Sequence, residues 1–442
     1  MSVPCTGIPP PETLRDALDF SAWLNDARRN SIKESVGRQL NEKALTYFNG
    51  NTVSHDLGGG VKKCFNDMIE HTTELRKLIV YETILNNYGK YHTLEHTNNT
   101  DEGCTTFVTI ILGLIAPLYN TLYYLYFQVA DDFRYQGGAT WENMRCDGLQ
   151  DGHDLKNWLT TAAGVPSSHD SNARLLSGGY SAKAQLSSNR GSHMKDSLDK
   201  LVDNGSSLGA LPKLLLGLCL NIPNSHSSSA AALVFIAAFC KGVEDGTFDV
   251  KVGEHVDLRD LCSSISEKLK KITGAGNERD SYLCALYNSS VVLCNGFLKL
   301  DSFDTYVTWL QTHLSEVVDF ITQLANDCSK WQYISVRMGN SAGPFPYGFV
   351  TTVKWEENQW NRVAPRLATE IKMLINSDGG KGLRDLLNAF KQVPVPLSDK
   401  SVNSTTTTAI GTLASAGIVG GTGAALYATN AFGVTTFVKS FL

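Results

Sequence analysis

Two short patterns in the chain have the spacing of hydrolase machinery. His92-Thr-Leu-Glu95-His96 carries the inverted zinc-protease pattern HxxEH. That chemistry needs two imidazoles one helical turn apart, the Glu as general base and a distant third ligand. NNYGKY before it and TNNTDEG after it leave room for only about one and a half turns of helix. Neither Glu102 nor Glu142 is singled out as the third ligand, so a surface loop with two histidines is the simpler reading. Gly339-Asn-Ser341-Ala-Gly343 matches the nucleophile elbow GxSxG, which joins a strand to a helix and is followed later in the chain by its acid and His. Here Pro344 and Pro346 oppose a helix, and the last histidine, His313, lies upstream. A Gly-rich turn accounts for the pattern.

The remaining candidates are weaker. Gly58-Gly-Gly60-Val-Lys62-Lys63 lacks the GxxxxGK[ST] spacing of a phosphate loop and reads as a helix-initiating turn. Asp131-Asp132 and the Asp147, Asp151, Asp154 cluster lack calcium-loop spacing with its terminal Glu. Sequons stand at Asn98, Asn204, Asn288 and Asn403, and they matter only in a secretory lumen. Ten cysteines are spread singly with no CxxC, which removes zinc-ribbon and thioredoxin-like readings. Cys219 and Cys240 lie in apolar runs and read as buried thiols acting as small hydrophobes. These residues lead to the expectation of a non-enzymatic protein with no cofactor and no metal site.

Composition narrows the class further. The 442 residues carry 39 basic and 44 acidic side chains, a net charge of −5, so no basic excess is available to grip a phosphate backbone. Nucleic acid is not an expected partner. With 42% apolar and 19% charged residues, the chain is too hydrophobic and too weakly charged for global disorder. No block of about 20–50 residues recurs, which excludes a solenoid.

The elements that position these residues are mostly helices, because apolar residues recur at helical spacing. Ser31-Ile-Lys-Glu34 reads as a capping box before Ile32, Val36, Leu40 and Ala44. Val61, Phe65, Met68, Leu75, Leu78 and Ile79 form a second stripe. Leu258, Leu261, Ile265, Leu269 and Ile272 form a third, and Leu314, Val317, Ile321, Leu324 and Cys328 a fourth. Trp360, Val363, Leu367 and Ile371 start a last stretch, broken by Gly379-Gly380 before Leu383, Leu387 and Phe390. Only Tyr333–Val336 and Tyr347–Val353 have strand character.

Two uncharged runs bear on membranes. Ser401 to Val438 contains no charge, and 409–429 is long enough to span a hydrocarbon core of ~30 Å. Its Gly417 and Gly421 stand as GxxxG, with Ala416/Gly420 and Gly421/Ala425 at the same spacing, so Gly417, Gly420, Gly421 and Ala425 form a close-packing face for a second membrane helix. Lys439 after it suggests a cytoplasmic C-terminus. The second run, within Gly103–Ala130, is interrupted by Pro117, and its tyrosines cluster in one half; a buried helix or kinked helix pair inside a helical domain is the preferred reading. The N-terminus, MSVPCTGIPPPETLRDALDF, lacks the basic start and apolar core of a signal peptide. The expected organisation is a helical domain at 1–162, a Ser/Gly-rich loop at 163–208, a second helical region at 209–391, a stalk at 392–408, the membrane helix at 409–429 and a short tail at 430–442. The expected fold class is mostly α, a helical ectodomain with long polar loops and one C-terminal transmembrane helix.

Several phrases in order resemble a known family. PETLRDALDFSAWLND near the start, LYYLYFQV at 122–129, GGATWENMRCDGL at 137–149 and LKNWLT at 155–160 resemble the N-terminal region of the variant erythrocyte surface antigens of Babesia. AIGTLASAGIVGGTGAALYATNAFGV is similar to the membrane span of the same family. The resemblance covers residues 10–160 and 409–438, and it is to a short or truncated member without sustained heptads or a dense Cys/Lys block. It implies a single-pass protein exported to the infected red-cell surface, acting in antigenic variation and cytoadhesion. The implied partners are the lipid bilayer, a host endothelial receptor and a subunit of the same family. An intracellular, membrane-tethered helical scaffold is the rival expectation.

Overall fold

The computed structural model of the chain describes residues 8–47, 60–80, 87–92, 101–129, 159, 175–180, 194–202, 209–218, 222, 229–246, 258–273, 303–328, 347, 357–376 and 379–391. The expected stalk, membrane helix and tail, with Gly417, Gly420, Gly421 and Ala425, lie outside the described residues, as do Glu95, His96, Ser341 and the four sequons. The protein is all-α over what is described, with no β-strand there; a single parallel bridge joins Thr13 to Ser177.

The first group of helices begins with α1, Leu14–Leu24. Thr13 caps it, its Oγ1 accepting the Asp16 N–H at 3.0 Å, while Asp16 accepts the Glu12 N–H at 3.1 Å. The Asp16 N–H, an orphan donor of the first turn, is thus satisfied by the cap, and the Asp16 carboxylate in turn holds the chain just before it. Nine of the eleven residues of α1 are buried, so it runs through the core rather than over it. A 3-10 turn, Ala27–Arg29, leads directly into α2, Asn30–Tyr47. The capping box expected at Ser31 is therefore not the helix start. Asp26 takes that role by accepting the Arg28 N–H, and Glu34 pairs across with Lys62. Ile32, Val36, Leu40 and Ala44 are all buried against α3, Gly60–Ile79. The two helices approach closely at Gly37, where a Cβ would come 3.0 Å from Lys62 and 3.2 Å from Phe65.

α4, Asp101–Val129, is one continuous helix through Pro117. Within it, Cys104–Tyr123 is apolar and long enough to cross a membrane by length and composition, yet 67% of that stretch is buried by the protein itself. It packs on α1 and α2 and on two short helices, α5 (Lys195–Leu201) and α6 (Ala210–Gly217). Pro117 has no N–H to give. Thr121 Oγ1 donates to the Pro117 carbonyl at 2.6 Å and accepts the Leu176 N–H at 2.9 Å, so a segment distant in sequence is fastened where the helix is locally altered.

Two expectations change here. Within the loop expected at 163–208, Tyr180, Met194, Leu198 and Leu201 are fully buried, and α5 packs on α3 and α4. Short helices separated by Ser and Gly were not visible as a periodic stripe, since each contributes only one or two turns. Residues 209–218 also pack with the first group, through Leu211, Leu214 and Leu215 against α3 and α4, rather than with the region that follows.

The second group comprises α7 (Ser229–Glu244), α8 (Leu258–Thr273), α9 (Phe303–Cys328), α10 (Glu357–Ile375) and α11 (Leu383–Lys391). α7 lies on α8, and α9 on α10 and α11. The expected stripes of α8 and α9 are buried throughout. Gly379 and Gly380, at φ of +100° and +75°, turn the chain between α10 and α11 as their sequence suggested. Of the expected strand Tyr347–Val353 only Tyr347 is described; it is buried, and its hydroxyl donates to Asp327.

A pair of glycines gives an opposed test of this packing. Gly178 sits so close to Leu159 that a Cβ would overlap its backbone, whereas Gly113, exposed in α4, has nothing within 4 Å. Gly113→Ala is expected to raise stability by about 0.5–1 kcal/mol. Gly178→Ala is expected to lower it by about 1–3 kcal/mol. Urea denaturation of the two variants checks both signs.

Candidate functional site

Polar residues gather at one place in the first group, between α1, α3 and the 3-10 turn Gly89–Tyr91. α1 presents Asp19 from its buried face, because the helix is enclosed almost all round. α3 presents Arg76 one turn beyond Thr72, on the same stripe as Phe65, Met68 and Ile79. Arg76 Nε donates to Asp19 Oδ1 at 2.6 Å, and the side chains are 3% and 6% exposed. Arg76 Nη2 donates to the Asn87 carbonyl at 2.6 Å, and its guanidinium lies 5.7 Å from the centre of the Tyr88 ring. Arg15, one turn before Asp19, adds a longer contact of 3.5 Å to its second oxygen.

The 3-10 turn closes over this pair. Gly89 has φ +55°, and a Cβ there would stand 2.8 Å from Asp19 Oδ2, so glycine serves both the left-handed backbone and the close approach. Lys90 Nζ reaches Asp16 at 2.9 Å and the Pro10 carbonyl at 2.9 Å. Tyr91 and Phe20 rings pack at 5.2 Å, and Phe20, Trp23 and Phe107 complete an aromatic cluster. The buried Arg29 stacks its guanidinium 4.7 Å over Trp23 and pairs with Asp26 at 3.3 Å. Tyr88 donates to the same Asp26 oxygen at 3.1 Å.

Electrostatics follow from these neighbours. Hydrogen bonds from Arg28 and Tyr88 hold the Asp26 carboxyl well below its ordinary range. Burial pushes Asp19 upward, with Arg76 opposing it. Burial also raises the phenols of Tyr88, Tyr91 and Tyr180, so none is poised to act as a phenolate near neutral pH. The Tyr91 and Tyr180 hydroxyls and the Trp23 indole N–H are buried without a hydrogen-bond partner. The arrangement spends its charges on its own elements: it locks α1, α3 and two turns together.

Of the residues the sequence nominated, His92 is the first residue after the turn Gly89–Tyr91, and its companions Glu95 and His96 lie outside the described residues. Among the described residues no group of three His, Cys, Asp or Glu is placed to hold a metal ion. Sequence reasoning missed Asp19, Arg29 and Arg76. One signal was available: Thr72 and Arg76 fall on the buried stripe of α3, where polar residues need internal partners. The chain matches no protein-family model, no curated protein and no solved structure.

Removing one partner of the buried pair strands the other. Arg76→Ala is expected to cost about 3–5 kcal/mol, and Asp19→Leu combined with Arg76→Met is expected to cost less than Arg76→Ala alone. Guanidinium denaturation of the single and double variants measures this, and equal or additive losses would count against a lock. The pH dependence has a definite sign at Asp26. Its carboxyl is lowered in the folded state from 3.8, so its stabilisation is present above that pH and fades as pH falls below it. The stability gap between the native chain and Asp26→Asn is therefore expected to be widest near pH 6–7 and to narrow toward about pH 2. Asp19, shifted upward, contributes the opposite slope, and its contribution declines as pH rises through its raised value.

Proposed function

We propose that the chain is a non-enzymatic surface antigen of an intraerythrocytic parasite, tethered to the bilayer through 409–429 and displayed for antigenic variation and cytoadhesion. In this reading Gly417, Gly420, Gly421 and Ala425 face a second membrane helix, supplied by a subunit of the same family. A host endothelial receptor is the external partner.

The observation that carries the reading is the placement of its most family-like phrase. PETLRDALDFSAWLND supplies the Thr13 cap, the whole of α1 and Asp26, so the resemblance falls on the residues that hold the first group together. LYYLYFQV ends α4, with Leu122 and Leu125 fully buried. A protein under pressure to vary must hold such positions and change exposed ones, where substitution typically costs within about 0.5 kcal/mol. Exposed positions such as Arg38, Glu42 and Lys43 on α2 offer that freedom.

The rival, an intracellular tethered scaffold, draws on a different observation: the five described cysteines, Cys64, Cys104, Cys240, Cys262 and Cys328, are all buried and none is in a disulfide. Membrane-impermeant biotinylation of intact infected red cells separates the two, because Lys43, Lys63, Lys77, Lys271 and Lys372 are exposed. Capture of the chain from intact cells, with a cytosolic parasite protein unlabelled, is the expected result. Labelling only after permeabilisation would transfer the assignment to the scaffold.

A further inference from the structure

The second group of helices contains a pair of thiols that neither the fold argument nor the proposed function uses. Cys240 lies on α7 and Cys262 on α8, two helices packed directly against each other. Both side chains are 0% exposed. Their thiols are within hydrogen-bonding reach of one another. The sequence offered no such pairing, since the two are separated by about 20 residues and each sits in an apolar stripe that explains it as a small hydrophobe.

Helix geometry makes the pair bridgeable. Packed helix axes lie about 8–10 Å apart and Cα atoms sit about 2.3 Å from each axis, so directly facing Cα atoms are about 3.4–5.4 Å apart. That range overlaps the roughly 4.4–6.8 Å that a disulfide spans. Small neighbours one turn away, Ala237 before Cys240 on its helix face and Ser266 after Cys262, are also buried.

We propose that Cys240 and Cys262 form a disulfide that joins α7 to α8 when the chain meets an oxidising compartment. The co-reactant is a small-molecule disulfide of the glutathione class. One cysteine thiolate attacks a sulfur of that disulfide and releases one small thiol. The second cysteine thiolate then attacks the mixed disulfide and releases the other. The net change oxidises two protein thiols to one S–S bond and reduces one small disulfide to two thiols, with protons carried by the leaving thiols. Burial raises the Cys240 thiol well above its ordinary range, so exchange proceeds through local opening or during folding rather than in the closed state. The bond then closes a loop of about 20 residues that holds the two helices in register.

The test uses the purified full chain in detergent, incubated with oxidised glutathione or with dithiothreitol, alkylated and digested with trypsin. Cleavage after Lys213 and Lys241 puts Cys240 in one peptide with Cys219, so fragment ions must separate these two; cleavage after Arg259 and Lys268 isolates Cys262. The expected result is a linked peptide assigned to Cys240 and Cys262, with a Tm a few degrees above that of the reduced chain. Cys240→Ala and Cys262→Ala are each expected to abolish both the linked peptide and the redox-dependent Tm shift while retaining the helical circular dichroism of the parent. Both thiols still alkylatable after oxidation of the native chain, or Cys262 linked to any other cysteine, would overturn the proposal. Should either variant fail to fold, the linked-peptide map of the native chain decides alone. This result is independent of where the chain resides in the cell.

Discussion

The pairing of Asp19 with Arg76 is the constraint on which the first group of helices depends. A charge enclosed by apolar helices is tolerated only when another charge and further hydrogen bonds meet it. Asp19 satisfies this with Arg76 at 2.6 Å and Arg15 at 3.5 Å, and Arg76 with the Asn87 carbonyl. The pair therefore fixes how α1 lies on α3 and where the chain must return as the turn Gly89–Tyr91. Gly89 is the residue that lets the backbone come so near the carboxylate. The aromatic cluster of Phe20, Trp23, Tyr91 and Phe107 then fills the space beside it, linking the same turn to α4.

α4 shows why length and hydropathy alone do not decide a membrane span. Its apolar stretch Cys104–Tyr123 passes a membrane criterion, while most of its side chains face neighbouring helices. A helix enclosed on several sides is apolar on several sides, in water as in lipid. Asn120 and Thr121, both buried, mark polar positions in the same stretch, and Thr121 uses its hydroxyl on both the Pro117 carbonyl and the Leu176 N–H.

How much of this was legible in the sequence depended on how many turns an element has. The helices α2, α3, α8 and α9 each run for four turns or more, and the residues their stripes nominated are buried almost without exception. α5 and α6 have seven and eight residues, too few for a period to stand out from Ser and Gly. The start of α2 was misplaced because Asp26 competes with Ser31 for the capping role, and a 3-10 turn precedes the helix. Asp19 and Arg76 were missed because their partnership joins positions 57 residues apart, which no local pattern encodes. The nominated membrane-packing residues, 417 to 425, lie beyond what the structure describes, so that part of the reading still rests on sequence.

The segment 175–180 shows how a short stretch of chain is fastened to the core. It is attached mainly through its backbone: Leu14 and Arg15 donate their N–H groups to the Ser177 and Gly178 carbonyls at 2.8 and 3.0 Å, and Tyr180 donates to Leu159 at 2.8 Å. Such bonds do not depend on side-chain identity, whereas Gly178 and Gly179 must stay small because Leu159 and Thr13 press against them. Two glycines and one buried tyrosine thus anchor a polar stretch of chain to the capped end of α1. The capped end of α1 is thus held by contacts that constrain only these few positions, and the same helix carries Asp19 to Arg76.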